Sequence, residues 1–192
     1  MRLGNHRTKN LSLGAMLLHE IIRAPREIGA ILPSSARLGD VMASLIDDGE
    51  QGLVVELGAG TGVITESLLR SGIAPSRLIV IEKSEPFACY LSERFPDICV
   101  VHADAGDFPA VLGQTAVKAV VSCLPLRSLP GSAVAKITAT WVRSLASDGR
   151  IIQFTYAPFG ASAWQDAGLK RIGCETVWAN FPPARVEVFS SP

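Results

Sequence analysis

The segment VVELGAGTGVITESLLR, residues 54–70, carries an acid, Glu56, just ahead of three glycines at alternate positions, Gly58, Gly60 and Gly62. Without a Cβ, glycine lets the backbone turn tightly and lets a ligand lie against it. Apolar residues lead into the loop and amphipathic helix spacing leaves it. The loop therefore joins a buried strand to a helix whose first N–H groups are free to meet a ligand. Dinucleotide folds use G-x-G-x-x-G over a pyrophosphate; the G-x-G-x-G spacing here disfavours a nicotinamide dinucleotide. A second acid, Glu82, ends the next apolar run about 20 residues beyond the loop, where a carboxylate can accept hydrogen bonds from ribose hydroxyls. Asp104 ends a third run, in HADAGDF. Apart from ligand contact, Asp104 could cap a segment beginning near Ala105.

Placing three such acids on one edge requires a parallel sheet. Apolar runs predict strands at 52–57, 77–84, 97–104, 116–126 and 148–157, and helices intervene at 62–71, 85–94 and 131–146. Alternation of this kind implies right-handed crossovers and an α/β fold. Two further strands, 170–181 and 184–190, are joined too closely for a helical crossover, which predicts an antiparallel pair. Two helices come first: 11–23, stopped before Pro25, and about 35–47, with an N-cap serine in LPSS. We therefore divide the chain into an N-terminal helical segment, 1–47, and a ligand-binding domain, 48–192.

The 192 residues suffice for one such domain with a core. Hydrophobic residues make up 48% and the mean hydropathy is +0.30, greasy for a soluble chain. Eighteen cationic residues balance eighteen acidic ones, so no global basic field draws nucleic acid. Residues 1–37 are different, with six cationic side chains against Glu20 and Glu27. Residues 11–23 wind into an amphipathic helix with a basic flank. Such a helix can pack on a core or lie in an anionic bilayer interface. Cys89, Cys99, Cys123 and Cys174 are scattered in apolar surroundings and form no metal-ligand pattern, which predicts reduced, buried thiols and no metal site. No apolar run reaches the ~20 residues that span a bilayer, and no signal-peptide cleavage pattern stands out.

The ELGAGTG loop resembles that of S-adenosylmethionine-binding proteins, and the order of elements resembles the class I methyltransferase fold: a seven-stranded, mostly parallel sheet with an antiparallel last strand. Over nearly its whole length the chain resembles the bacterial phospholipid N-methyltransferases. The likeness runs through GAILPSSARLGDVMA (29–43), VVELGAGTGVIT (54–65), RFPDICVVHADAGD (94–107), VVSCLPLRSLP (120–130), IIQFTYAP (151–158) and NFPPARVEVF (180–189). The resemblance implies S-adenosylmethionine over Glu56, Gly58, Gly60 and Gly62. It places the ribose at Glu82 with Lys83, the adenine amine at Asp104 with Ala105, and the transfer site near Ser122. Ser122, the Leu124 carbonyl and Pro125 would orient the acceptor nitrogen. His102 could be a base, though its strand position favours a structural role. The implied acceptor is the phosphatidylethanolamine amine and its methylated intermediates. The implied partner is an anionic membrane surface, bound through residues 1–37 by a cytoplasmic protein at the inner membrane face; nucleic acid is not expected. Amine methyltransferases acting on nucleic acids carry an aromatic where Leu126 stands, to stack on a flipped base. With Leu126 in place of that ring, an rRNA or DNA adenine methyltransferase, more distantly similar, is the alternative and not the first reading, beside a small-molecule methyltransferase. The chain also departs from the lipid family, with Cys123 where glycine is common and with no aromatic before Phe87.

Overall fold

The computed structural model describes residues 35–46, 52–107, 113, 115, 117–157, 159–180 and 182–192. The predicted helix at 11–23 lies outside these residues. The strands are β1 (Leu53–Leu57), β2 (Leu78–Glu82), β3 (Cys99–His102), β4 (Val117–Ser122), β5 (Leu145–Thr155), β6 (Lys170–Val177) and β7 (Ala184–Ser190). They form one sheet in the order β3-β2-β1-β4-β5-β7-β6. The first five are mutually parallel, and β7 is antiparallel to both β5 and β6. The helices are α1 (Ala36–Ser44), α2 (Val63–Arg70), α3 (Glu85–Arg94), α4 (Gly131–Ser144) and α5 (Ala163–Asp166).

Central strands covered on both faces read as continuous apolar runs, and the period of two then sorts side chains between two cores. Val54, Val80, Ala119, Val121 and Ile152 meet α1 and α2 on one face. Val55, Leu57, Ile79, Ile81, Val120 and Ile151 pack with Trp141 and Trp164 on the other. Among the described residues no helix is long and apolar enough to cross a membrane.

The elements agree with the sequence reading to within a few residues, apart from the single-turn helix α5, which it does not predict, and the join of α4 to β5. Helix α4 ends at Ser144, and Leu145 is already extended (φ −70, ψ 135), pairing with Val117. A register irregularity between Val117 and Ala119 absorbs the early start of β5. The cysteines are unpaired, but Cys89 and Cys174 are exposed rather than buried. Helix phase explains Cys89: Phe87, Ala88 and Leu91 take the inner face of α3, which turns Cys89 outward.

Ser35 caps α1, its hydroxyl accepting from the Leu38 N–H at 3.1 Å. The Ser35 N–H in turn donates to Asn180 Oδ1 at 3.0 Å. Asn180 is buried and its amide also donates to the Pro182 carbonyl at 2.8 Å, with Tyr156 Oη at 3.5 Å. One amide thus ties the start of α1, the end of β5 and the β6–β7 turn together. Asn180→Ala leaves the part-buried Ser35 N–H and Pro182 carbonyl without this partner and is expected to cost about 1 kcal/mol, read as a lower urea midpoint at unchanged m-value.

Candidate functional site

In a doubly wound sheet, a ligand crevice forms outside the carboxyl ends of the strands, where neighbouring crossovers leave to opposite sides. Here that point lies between β1 and β4. Glu56 and Leu57 end β1, Ser122 ends β4, and Leu57 and Ser122 face each other in register. Glu82 and His102 pair at the ends of β2 and β3.

The glycine loop is held from below and from the side. The Gly58 N–H continues the ladder to the Ile81 carbonyl at 2.8 Å, and the Cys123 N–H donates to the Leu57 carbonyl at 2.9 Å. Gly58 sits at φ +73, and a Cβ there would fall 2.7 Å from Leu124 Cδ2. Only glycine allows loop and turn to approach this closely. Gly62 provides the left-handed N-cap of α2.

Glu82 is buried, yet its carboxylate is well satisfied: Oε2 accepts the Gly60 N–H and Oε1 the Ser84 N–H, each at 2.9 Å. The acid therefore organises the loop as well as marking its edge. Asp104 accepts the Gly106 N–H at 2.8 Å through Oδ1 and pairs with Lys83 Nζ at 3.0 Å through Oδ2. These bonds, the backbone one first, hold its carboxyl below the usual range. The cap-like bond does form, but on a turn rather than a helix. Helix α4 pins that turn: Trp141 Nε1 donates to the Ala105 carbonyl at 2.7 Å, and Thr140 Oγ1 to the Gly106 carbonyl at 3.0 Å. His102 is exposed, its Nε2 3.1 Å from the Lys83 carbonyl, a structural placement on the far side of β2 from β4.

Glu56 is fully buried, and Thr65 Oγ1 donates to its Oε2 at 2.7 Å. Burial, reinforced by the charge of Glu82, pushes its pKa up to about 8, against which the Thr65 bond works. The folded protein thus keeps a proton that the unfolded chain loses above its ordinary value of 4.5. Without ligand, stability is expected to fall as pH rises between those two values, by about 1.4 kcal/mol per unit from this group. Glu56→Gln removes that component, so urea midpoints of the two proteins measured from pH 5 to 8 should diverge as pH rises.

The turn after β4 holds the remaining candidates. Pro125, at φ −79 and ψ 63, is the centre of an inverse γ-turn in which the Leu126 N–H donates to the Leu124 carbonyl at 2.9 Å. The same carbonyl accepts Gln153 Nε2 at 3.1 Å. Two donors already occupy the Leu124 carbonyl, while Ser122 Oγ is fully buried and without a partner. Leu126 is 9% exposed and packs in the core cluster of Trp141 and Trp164, so it closes the turn from beneath.

Beyond the turn opens a cavity of about 560 Å³, bounded by Cys123–Ser128, the end of β5 from Gln153 to Ala157, and the loop into α5. Sequence reasoning passed over three of its determinants. Gln153 is buried, and besides holding Leu124 its Oε1 accepts Trp164 Nε1 at 3.2 Å. Glu187, opposite Gln153 in register, is buried with Oε1 at 2.8 Å from Arg171 and 3.1 Å from Arg185. Tyr156 contributes an aromatic ring, set edge-on to Phe154 with centroids 5.6 Å apart. Only the IIQFTYAP stretch, where Gln153 interrupts the apolar run Ile151–Phe154, could have flagged it.

No protein-family model matches the chain. It is 31% identical over 150 residues to an ornithine lipid N-methyltransferase of Singulisphaera acidiphila, a match covering 75% of this chain and 78% of that protein. It is also 31% identical over 103 residues to a probable ribosomal RNA small subunit methyltransferase A of Halobacterium salinarum, covering 53% of this chain and 34% of that one. Among solved structures, a TehB-like SAM-dependent methyltransferase from Corynebacterium glutamicum superimposes with a TM-score of 0.66 at 17% identity, over 93% of this chain and 100% of the other. The glycopeptide N-methyltransferase MtfA complexed with S-adenosyl-L-methionine gives 0.66 at 12% identity, over 84% and 96%.

Proposed function

The chain belongs to the class I S-adenosylmethionine-dependent methyltransferases, and from that premise we propose that it methylates the headgroup amine of phosphatidylethanolamine, toward phosphatidylcholine. The donor set fits the cofactor. A glycine loop passes beside a buried carboxylate, Glu82, that two N–H groups hold in place, and a further carboxylate, Asp104, follows on the next strand. Glu82 would take the ribose hydroxyls, and Asp104, steadied by Lys83 and the Ala105 turn, the adenine amine. Gly58, Gly60 and Gly62, with Glu56 beneath them, would carry the methionyl part.

Bound there, the cofactor supplies an electrophilic sulfonium methyl. What remains for the protein is alignment and exclusion of water. A primary alkylamine, like that of lysine with a pKa near 10.4, is mostly protonated at neutral pH and must shed its proton to become nucleophilic. The apolar walls around Leu124 and Phe154 disfavour the ammonium form and so lower that pKa. The Ser122 hydroxyl is buried and outside the cavity lining, so it meets the nitrogen only once the Cys123–Leu126 turn moves aside. Leu124 and Pro125 act through shape, fixing the turn against Gly58.

The observation that carries the lipid reading is the cavity itself. It places Arg127 and Tyr156 around one space, which suits a phospholipid headgroup, its phosphate toward the arginine and its amine beside the aromatic ring. A second reading, an ornithine-headed lipid, is favoured by the relative from Singulisphaera and offers the same pairing through a carboxylate. Purified protein should be given labelled cofactor with phosphatidylethanolamine, an ornithine-headed lipid or ribosomal RNA, each in separate detergent reactions. Methyl label in phosphatidylethanolamine is expected. Label confined to the ornithine lipid moves the acceptor to the second reading, and label confined to RNA overturns both.

A further inference from the structure

Three large apolar side chains are mostly exposed among the described residues: Phe159 (82%), Trp178 (78%) and Ile172 (51%). Two of them share one edge of the sheet. Because β7 is antiparallel to β5 and β6 antiparallel to β7, the end of β6 lies at the same edge as the ends of β1 to β5. Trp178 directly follows Val177, the last residue of β6. Phe159 lies in the loop after β5, between Ala157 and Ala161, both of which line the cavity. The turn carrying Trp178 reaches the cavity through Asn180 and Tyr156. Ile172 is set apart, beside Leu45 and Ile46 at the opposite end of β6.

The cavity rim on this edge carries an exposed cation. Arg127, exposed at the cavity rim, donates to the Ala161 carbonyl at 3.0 Å and so braces the loop that carries Phe159. Ser35, the first described residue, is fastened to Asn180 at this edge, and the sequence before it carries five cationic side chains against two acidic ones. Exposed aromatics on the edge where the cavity lies, with the cation Arg127 at its rim, match a bilayer interface. Aromatic rings settle at headgroup level there, and cations meet anionic lipid.

We propose that Phe159 and Trp178 form an interfacial anchor that seats the acceptor cavity on the surface of an anionic phospholipid bilayer. The anchor rests on the lipid reading above: a lipid whose chains stay in the membrane reaches the turn at Ser122–Leu126 only if the cavity mouth lies on the bilayer.

The protein carries its own probe. Of its three tryptophans, Trp141 and Trp164 are fully buried, so a change in emission on membrane contact reports Trp178. The intact protein is titrated with vesicles of phosphatidylethanolamine and phosphatidylglycerol, with and without brominated acyl chains. Emission should shift to shorter wavelength and be quenched by the brominated lipid. The double variant Phe159→Ala, Trp178→Ala should partition about tenfold less into vesicles or worse, while methylating detergent-dispersed lipid at the parent rate. Co-sedimentation with unchanged emission would overturn the anchor and leave residues 1–34 as the contact. Emission already that of a buried indole in the free protein would overturn it too, since the surface is then covered. Failure to bind vesicles while detergent-dispersed lipid is methylated would overturn the anchor alone; failure of both would overturn the lipid reading with it.

Discussion

Gly60→Arg is expected to abolish binding of S-adenosylmethionine while leaving the protein folded. Gly60 stands at φ +54, and a Cβ built on it meets no atom within 4 Å. The new side chain therefore leaves the backbone into open space. The folded state bears only the left-handed backbone strain, about 1–2 kcal/mol, and the backbone N–H can still reach Glu82 Oε2. Calorimetric titration with the cofactor, beside a thermal melt, separates the two effects. Gly60→Ala serves as the control, since it carries the same strain with little bulk. If strain alone mattered, the two variants would bind equally poorly; obstruction predicts that alanine retains most of the affinity. Full binding by the arginine variant would contradict the loop assignment.

Gln153→Leu is expected to act on the other half of the site. The substitution keeps the approximate volume but removes the donors to the Leu124 and Phe154 carbonyls and the acceptor for Trp164 Nε1. Trp164 is fully buried, so its indole N–H is stranded, at a cost of about 1–3 kcal/mol. The Leu124 carbonyl loses its hold on β5, and the turn that packs on Gly58 can drift. A displacement of about 1 Å at such a point costs on the order of 100-fold in rate. The expected signature is a large drop in kcat with cofactor affinity nearly unchanged, measured at a temperature where circular dichroism shows the variant folded. A change in cofactor affinity with normal kcat would mean that Gln153 does not position the acceptor turn.

The placement of the glycine loop and its three acids was legible in the sequence because it is local. Glu56, Gly58, Gly60, Gly62, Glu82 and Asp104 each end or follow an apolar run, and strand–loop–helix order brings such positions to one edge whatever the side-chain packing. The seven strands were legible for the same reason, down to the close β6–β7 connection that required an antiparallel pair. The acceptor half was not. Gln153, Asn180 and Glu187 come from late strands and turns, and each acts on a residue distant in the chain: Gln153 on Leu124, Asn180 on Ser35, Glu187 on Arg171. No periodicity encodes such pairings. The short helix α5 escaped because it is a single capped turn, closed by Ser162 and Gln165 rather than by an amphipathic repeat. Leu124 shows the limit from the other side. Its carbonyl looks available in SCLPL, and only the fold reveals the two donors already on it.

The central claim is that the glycine loop and the Ser122–Leu126 turn bring a cofactor methyl to a phospholipid amine. The most direct test is a single turnover: enzyme loaded with methyl-labelled S-adenosylmethionine is mixed with phosphatidylethanolamine liposomes, and lipid and cofactor products are measured together. Monomethylated lipid appearing in step with an equal amount of S-adenosylhomocysteine is the predicted result. S-adenosylhomocysteine released without label in the lipid, or no turnover until another acceptor is supplied, would contradict it.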